Sequence, residues 1–391
     1  MLSRKAYDTL FYKQVALGFI YVLTLGLTGA FLPILALQYD PSETLAGVVV
    51  SAWFFSRIFL EIPIGVLSDR IGRRTPLIIG LLISAAGSFL CASAPSIYHL
   101  IGGQTIWGFG AALVFLNNTA LILDQAKPEM RDRVVGIFQS FQFMGSLFGA
   151  PIGALLSIYI GYQNVFYVAF AFVIISIMLA LTSKDIKRAG QRREDSSNHS
   201  ILSSLKALRG REVIIICTGS LLRMFVEAGF ISTVLKLYLN QQLSFEVSLI
   251  SIIVSARVLG FITGTFLSGY IIDKINQRNT VIAGFVLDGL AINLLTTTTL
   301  LEHIIVLMLL AGIGSGMVFS TLTVWLNRIV EPKNRGISIG LNRTMLDLGG
   351  LLGPIFFVIV YDMVNAQLVF IAGGFLLYIG VLLTTTIRQK S

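Results

Sequence analysis

Polar residues occur along this chain in short clusters, and long stretches with almost no charge run between them. A helix that crosses a bilayer needs about 20 mostly apolar residues. Twelve stretches reach that length: 12–37, 45–68, 75–94, 98–124, 133–158 and 162–182, then 212–238, 246–271, 279–299, 303–328, 336–360 and 365–387. Apolar residues within them are continuous rather than alternating, so they predict helices and not the strands of a membrane barrel. The first run is too long for the apolar part of a signal peptide and lacks a clear cleavage site, so it reads as the first span.

One long polar insert, Ser183–Arg211, contains QRREDSSNHS and separates six spans from six. It reads as a solvated tether, within which Ile201–Leu208 has the pattern of a short interfacial helix. The expected architecture is an all-α membrane protein with twelve transmembrane helices. They form two pseudo-symmetric six-helix bundles, 1–182 and 212–391, joined by the linker 183–211. The halves also repeat at a constant offset of 204 residues: GVLSDRIGRR (65–74) lies over GYIIDKINQR (269–278), and WGFGAALVF (107–115) over AGIGSGMVF (311–319). PEMRDRVVG (128–136) lies over PKNRGISIG (332–340), and His99 over His303. Parallel repeats of this kind build a solute site at their interface in one major class of transporters.

Composition narrows the class. The 391 residues are 55% hydrophobic and 13% charged, against roughly 25% charged in soluble domains. Too little polar side chain remains to cover a soluble surface, which argues against a cytosolic enzyme, a nucleic-acid binder and a disordered protein. The formal charge is +9, but 24 of the 29 basic residues lie in the termini, the even-numbered connections and the central insert. The odd-numbered connections hold only Lys236, with acids such as Asp40, Glu43, Glu302 and Asp362. By the positive-inside rule, both termini and the central insert face the cytoplasm, and the cell membrane is the expected location. Cys91 and Cys217 lie inside apolar runs, and the three histidines lack metal-ligand spacing. No disulfide framework, metal or cofactor is expected.

Between spans 2 and 3 stands G-V-L-S-D-R-I-G-R-R, Gly65–Arg74. Gly65 allows close helix approach and Gly72 a tight turn. Asp69 can face the positive end of a neighbouring helix, and Arg73 can pair with Asp124 at the inner end of span 4. This loop resembles the signature G-x-L-a-D-r-x-G-r-k of the major facilitator superfamily, and the resemblance covers nearly the whole chain. It implies two bundles that rock in alternating access. It also implies a latch on the outward-facing state, built here from Gly65, Asp69, Arg70, Gly72, Arg73 and Asp124. The second-half copy is weaker, with Asn276 and Gln277 in place of Gly72 and Arg73.

Span 4 carries QTIWGFGAA (104–112), which resembles the family's R-x-x-q-G-x-g-a-a. Gln104 stands at the arginine position, so the proton handling linked to that arginine is not carried over. Span 5 carries G-S-L-F-G-A-P-I-G-A, Gly145–Ala154, which resembles the antiporter motif with Pro151 one place late. Gly145, Gly149 and Pro151 predict close packing against a span of the other half, with a bend. Gly349, Gly353 and Pro354 in span 11 predict a similar packing and bending site.

The remaining chemistry lies in charges that a membrane makes costly. Arg57 and Glu61 lie in span 2, Arg223 and Glu227 in span 7, Arg257 in span 8, Asp288 in span 9, and Arg343 and Asp347 in span 11. At about 1.5 Å rise per residue, Arg57, Arg223, Arg257 and Asp347 fall roughly 15–18 Å from a span end. A charge there costs about 2.5–3.5 kcal/mol on insertion scales, so these residues are expected to face inward and pair. Arg57/Glu61, Arg223/Glu227 and Arg343/Asp347 share the spacing Arg-x-x-x-acid, which puts both partners on one helix face. By the family resemblance, these spans line or flank the cavity; Asp288, on an outer span, is the exception.

Glu61, Glu227 and Asp347 are the expected proton carriers, because burial disfavours a carboxylate's charge and a nearby arginine favours it. Exchanging partners then binds or releases a proton. Arg257, with no acid four residues away, is expected to bind an anionic group or to pair with Glu61 or Glu227. Arg57, Arg223, Arg343, Tyr21, Trp107 and Asn117 complete the cavity candidates.

The expected function is secondary transport of a small organic solute by alternating access. Proton-coupled export of an amphipathic compound comes first, on the span 5 motif and the buried carboxylates. Uptake or facilitated diffusion of an organic anion is the alternative, and a non-transporting membrane sensor is a remoter one. No Walker A motif is present, so ATP is not the direct energy source. The expected partners are the solute, protons and the lipid bilayer, with no nucleic acid, and two fused halves suit a monomer.

Overall fold

A computed structural model describes residues 9–60, 63, 68, 71–125, 131–183, 186, 210–330 and 335–387. Among them, eleven helices are long and apolar enough to cross a membrane. The expected second span, 45–68, runs partly through residues outside this set. Its described part is helical over Glu43–Ile58.

The chain divides into two compact units, one drawn from Met1–Gly29 and Phe59–Ser197, the other from Ala30–Ile58 and Asn198–Ser391. In the first unit, α1 is Thr9–Gly29. The second unit takes α2, Leu32–Tyr39, and α3, Glu43–Ile58. The run expected to be one span over 12–37 is thus broken after Gly29. Pro33, at the start of α2, suits a helix N-terminus and not a helix interior. The first unit continues with α4 (Arg74–Ala92), α5 (Ile97–Gln125), α6 (Arg131–Ile160) and α7 (Tyr162–Thr182).

The second unit continues with α8, Arg211–Val226, a π-helical segment, Glu227–Val234, and α9, Leu235–Gln241. Then follow α10 (Val247–Ile275), α11 (Gln277–Leu294), α12 (Leu301–Ile329), α13 (Arg335–Met363) and α14 (Ala366–Thr385).

Small residues decide which helices touch. In the first unit α6 lies along α1, and a Cβ at Gly149 would stand 2.6 Å from the Leu23 carbonyl oxygen. Gly145 faces the Phe19 carbonyl in the same seam. The span 5 glycines Gly145 and Gly149 therefore meet α1 within their own unit, where their spacing alone had suggested a span of the other half. Pro151 sits inside α6 and Pro354 inside α13. In the second unit Gly349 and Gly353 seat α13 on α8, and Gly47 seats α3 on α13 at the Pro354 carbonyl, 2.9 Å from the built Cβ. No hydrophobic force separates such seams from lipid, so close backbone approach and dispersion hold them.

The repeat persists in local geometry. Gly72 has φ +88°, and Asn276, its mate at offset 204, has φ +69°. Asparagine is among the few residues with a side chain that enter that region readily. Arg74 Nη2 donates to the Leu181 carbonyl at 2.9 Å, and Arg278 Nη2 donates to the Thr385 carbonyl at 2.6 Å; both donor and acceptor are shifted by 204. The outward surface is apolar along several helices, including Tyr159, Phe266 and Met363. A surface like this suits hydrocarbon and is a liability in water.

A Cβ at Gly153 would overlap the Leu27 carbonyl, whereas nothing lies within 4 Å of one at Gly102. Gly153→Val is expected to destabilise by at least ~1–3 kcal/mol through overpacking. Gly102→Ala should leave the melting temperature in detergent unchanged.

Candidate functional site

A buried charge network lies inside the second unit. The first turn of the π-helical segment carries Glu227. Arg257 on α10 holds its carboxylate from two sides: Nη2 donates to Oε2 at 2.6 Å and Nε donates to Oε2 at 3.2 Å. The remaining Arg257 nitrogen, Nη1, donates to Asp288 Oδ1 on α11 at 3.2 Å. One guanidinium thus joins two carboxylates from two other helices. The side chains of Arg257 and Asp288 are 5% and 2% exposed, but that of Glu227 is 25% exposed. Lys236 on α9 is buried within electrostatic reach of Glu227.

Arg223 behaves differently from its spacing. It makes no ion pair with Glu227, four residues on. Its Nη1 donates to Ser315 Oγ on α12 at 3.2 Å, and Ser315 Oγ donates to Glu227 Oε2 at 3.5 Å. Its guanidinium carbon lies 5.2 Å from the Phe319 ring centre and 5.8 Å from that of Phe261. Its Nε, also buried, has no hydrogen-bond partner. A same-face pair on one helix gains only about 0.2–0.5 kcal/mol. The forked contact from Arg257 is charge-assisted through two nitrogens and therefore stronger. The π-helical segment opens at Glu227, and such segments recur at functional sites.

A second pair forms across helices of the same unit. Arg57 Nε on α3 stands 2.9 Å from Asp347 Oδ1 on α13, with side chains 11% and 3% exposed. The Arg57 guanidinium also lies 4.4 Å from the Trp53 ring centre, in cation–π range. Asp347 is thus held from another helix, and Arg343, one turn before it, is half-buried. Glu61 lies outside the described residues.

In the first unit, Arg73 Nε stands 3.5 Å from Asp124 Oδ2, the partner its motif suggested. Gly65, Asp69 and Arg70 lie outside the described residues, and Gly72 makes the left-handed turn given above. The uncharged cavity candidates are sealed in this unit. Tyr21, Trp107 and Asn117 are each fully buried. The Tyr21 hydroxyl bonds Ser84 Oγ at 2.8 Å, and Asn117 Nδ2 donates to the Leu113 carbonyl at 2.8 Å. Trp107 packs on Gly87 and on the edge of Phe166. These contacts make them helix-packing residues here.

Sequence reasoning gave Asp288 no role and left Lys236 at a span edge. The signal for Asp288 was present: at offset 204 it replaces Ser84, so one repeat carries a charge where the other carries a hydroxyl. Among the described residues, no group of three or more His, Cys, Asp or Glu side chains is arranged to hold a metal.

At the far end of α3 from Arg57, Glu43 meets Asp362 of α13, and Thr44 Oγ1 donates to Asp362 Oδ2 at 3.2 Å. Burial, then the hydrogen bond and charge of Asp362, push the Glu43 carboxyl from its ordinary 4.5 up to about 7, with a bond to Gln241 opposing. A carboxyl raised in the native state stabilises it at low pH, and that stability is lost as pH rises towards the raised value. Wild-type protein should therefore lose stability between pH 4.5 and about 7 that Glu43→Gln retains, measured by thermal melts across pH.

The Arg57–Asp347 pair gives a second expectation. Arg57→Met removes the cation that stands 2.9 Å from this buried carboxylate and should cost about 3–5 kcal/mol. Arg57→Met with Asp347→Leu should regain most of that loss in denaturation of the purified protein.

The sequence matches the profile described as Major Facilitator Superfamily over residues 15–232 and again over 216–390. It is 23% identical over 368 residues to multidrug resistance protein 1 of Bacillus subtilis (strain 168), covering 94% of this chain and 93% of that protein. It is 34% identical over 176 residues to an uncharacterized transporter of Buchnera aphidicola subsp. Schizaphis graminum (strain Sg), covering 42% of this chain and 44% of that one. The fold is similar to the crystal structure of a bacterial homolog of the human lysosomal transporter Spinster. That match has a TM-score of 0.81 at 16% identity, covering 98% of this chain and 97% of that chain. Spans, repeat and fold agree: this chain is a multi-pass membrane transporter of small molecules, not an enzyme, and belongs to the major facilitator superfamily.

Proposed function

We propose that this transporter exports an amphipathic organic solute across the cytoplasmic membrane in exchange for protons, as a monomer working by alternating access with both termini in the cytoplasm. The observation that carries the reading is Glu227: a carboxylate held by Arg257 in the second unit, yet with a quarter of its side chain open. A proton arriving on Glu227 removes the charge that Arg257 grips. A solute that replaces the proton's effect on the cluster then alternates with it. The arrangement is the partner exchange that lets one proton do transport work. At a gradient of one pH unit, that work supports about a tenfold solute gradient per proton. The Bacillus subtilis relative is named multidrug resistance protein 1, which favours export. Asp347, paired with Arg57, is the second proton-carrier candidate. The pair of Arg73 with Asp124 supports the latch reading of its loop.

A second reading rests on Arg223. Its guanidinium is buried, flanked by two phenylalanine rings and without a carboxylate in bonding range. That favours an organic anion as solute.

Flux in proteoliposomes under an imposed pH gradient tests both, with a panel of lipophilic cations, sugars and organic anions. Uphill movement of an amphipathic compound, abolished by a protonophore, is expected. Glu227→Gln should remove uphill accumulation and leave downhill exchange, while Arg73→Ala should slow flux at every pH. Accumulation by Glu227→Gln equal to wild type would remove this residue as proton carrier. Flux of organic anions alone would favour the second reading.

A further inference from the structure

Asp288 is the member of the buried network that packing does not explain. Its place in the repeat is taken by Ser84 in the first unit. The surroundings match: Gly110 faces Ser84 and Gly80, and Gly314 faces Asp288 and Gly284, each pair shifted by 204. A hydroxyl therefore satisfies this position of the fold, and the first unit uses it to bond Tyr21. The second unit puts a carboxylate there, 2% exposed in the middle of a span. An ion so placed is costly unless paired, and its partner is Arg257.

Arg257 thus stands between two unlike carboxylates, Glu227 with 25% of its side chain open and Asp288 sealed. The first is partly open and the second is closed off. The other charged groups near Glu227 are basic: Arg223 on α8 and Lys236 on α9. α12 contributes the Ser315 hydroxyl. On α13 and α3, Asp347 and Arg57 are engaged with each other, and Arg343 adds a further cation on α13. From α14, Phe370 packs on Phe230 of the π-helical segment, and the Tyr378 hydroxyl lies 3.3 Å from the Asn293 side-chain amide. Without Asp288, protonation of Glu227 would leave Arg257 as a bare cation among Arg223 and Lys236.

We infer that Asp288 is a positioning residue, a standing counter-ion that holds Arg257 in place while Glu227 takes up and releases its proton. The inference rests on the reading that Glu227 carries the coupled proton. Asp288 keeps one guanidinium nitrogen engaged throughout, and its negative charge also eases the neutralisation of Glu227. Removing that charge gives Arg257 wholly to Glu227, so a lower pH is needed to protonate it.

The test is a pH titration of the purified full chain by infrared difference spectroscopy, following the carbonyl stretch of protonated carboxylic acid. It is run beside the pH profile of flux in vesicles. A band absent from Glu227→Gln identifies the titrating group. Asp288→Asn and Asp288→Ser should each move the midpoint of that band, and of flux, to lower pH by about one unit or more. Asp288→Glu should restore it, and neither shift should appear in a Glu227→Gln background. The serine variant copies the first repeat and is expected to fold. A Glu227 band whose midpoint is the same in the folded serine variant would overturn the inference and leave Glu227 as carrier. A band lost with Asp288 and kept in Glu227→Gln would overturn both.

Discussion

Everything distinctive in this molecule depends on the cost of keeping an ionised side chain in a membrane. A guanidinium or carboxylate far from water is tolerated only when its charge is met at bonding distance. Arg257 meets that requirement for three helices together, with Nη2 at 2.6 Å from Glu227 and Nη1 at 3.2 Å from Asp288. The same contact is a structural tie and a device that a proton can disturb. Arg57 and Asp347 meet the requirement by tying α3 to α13. Both ties run between helices, and the same-helix spacing of Arg223 and Glu227 did not foretell that Glu227 pairs with Arg257.

The two repeats share a backbone and divide its uses. Gly72 and Asn276 make the same left-handed turn, and Arg74 and Arg278 bond carbonyls at the same offset. The chemistry does not repeat. Positions that hold Phe19, Leu23, Trp53 and Ser84 in the first half hold Arg223, Glu227, Arg257 and Asp288 in the second. At these four positions one copy of the scaffold carries aromatic, apolar and hydroxyl side chains, and the other carries charge. Duplication supplied the helices, and the buried ions mark where the copies were put to different work.

Much of the fold was legible in the sequence, because a membrane span announces itself by length and continuity. The helical spans followed from that, the repeat from matching segments at offset 204, and the Arg73–Asp124 pair from its loop motif. Three things were not legible. The break after Gly29 lies inside an unbroken apolar run, where only Pro33 hinted at a new helix start. Tyr21, Trp107 and Asn117 are polar enough to suggest a cavity, yet polarity within a span serves helix packing equally well, and all three are sealed. The partnership of Arg257 with Asp288 spans 31 residues and two helices. No local rule reaches that far, though the replacement of Ser84 by Asp288 across the repeat pointed to it.

The most direct test is to count protons when a solute binds. With a compound that the vesicles transport, binding to the purified protein is followed by calorimetry near pH 7 in buffers of different ionisation enthalpy. About one proton should leave per solute bound to the wild type, and none from Glu227→Gln. Binding to the wild type with no proton exchanged would contradict the claim that the buried network couples solute to protons.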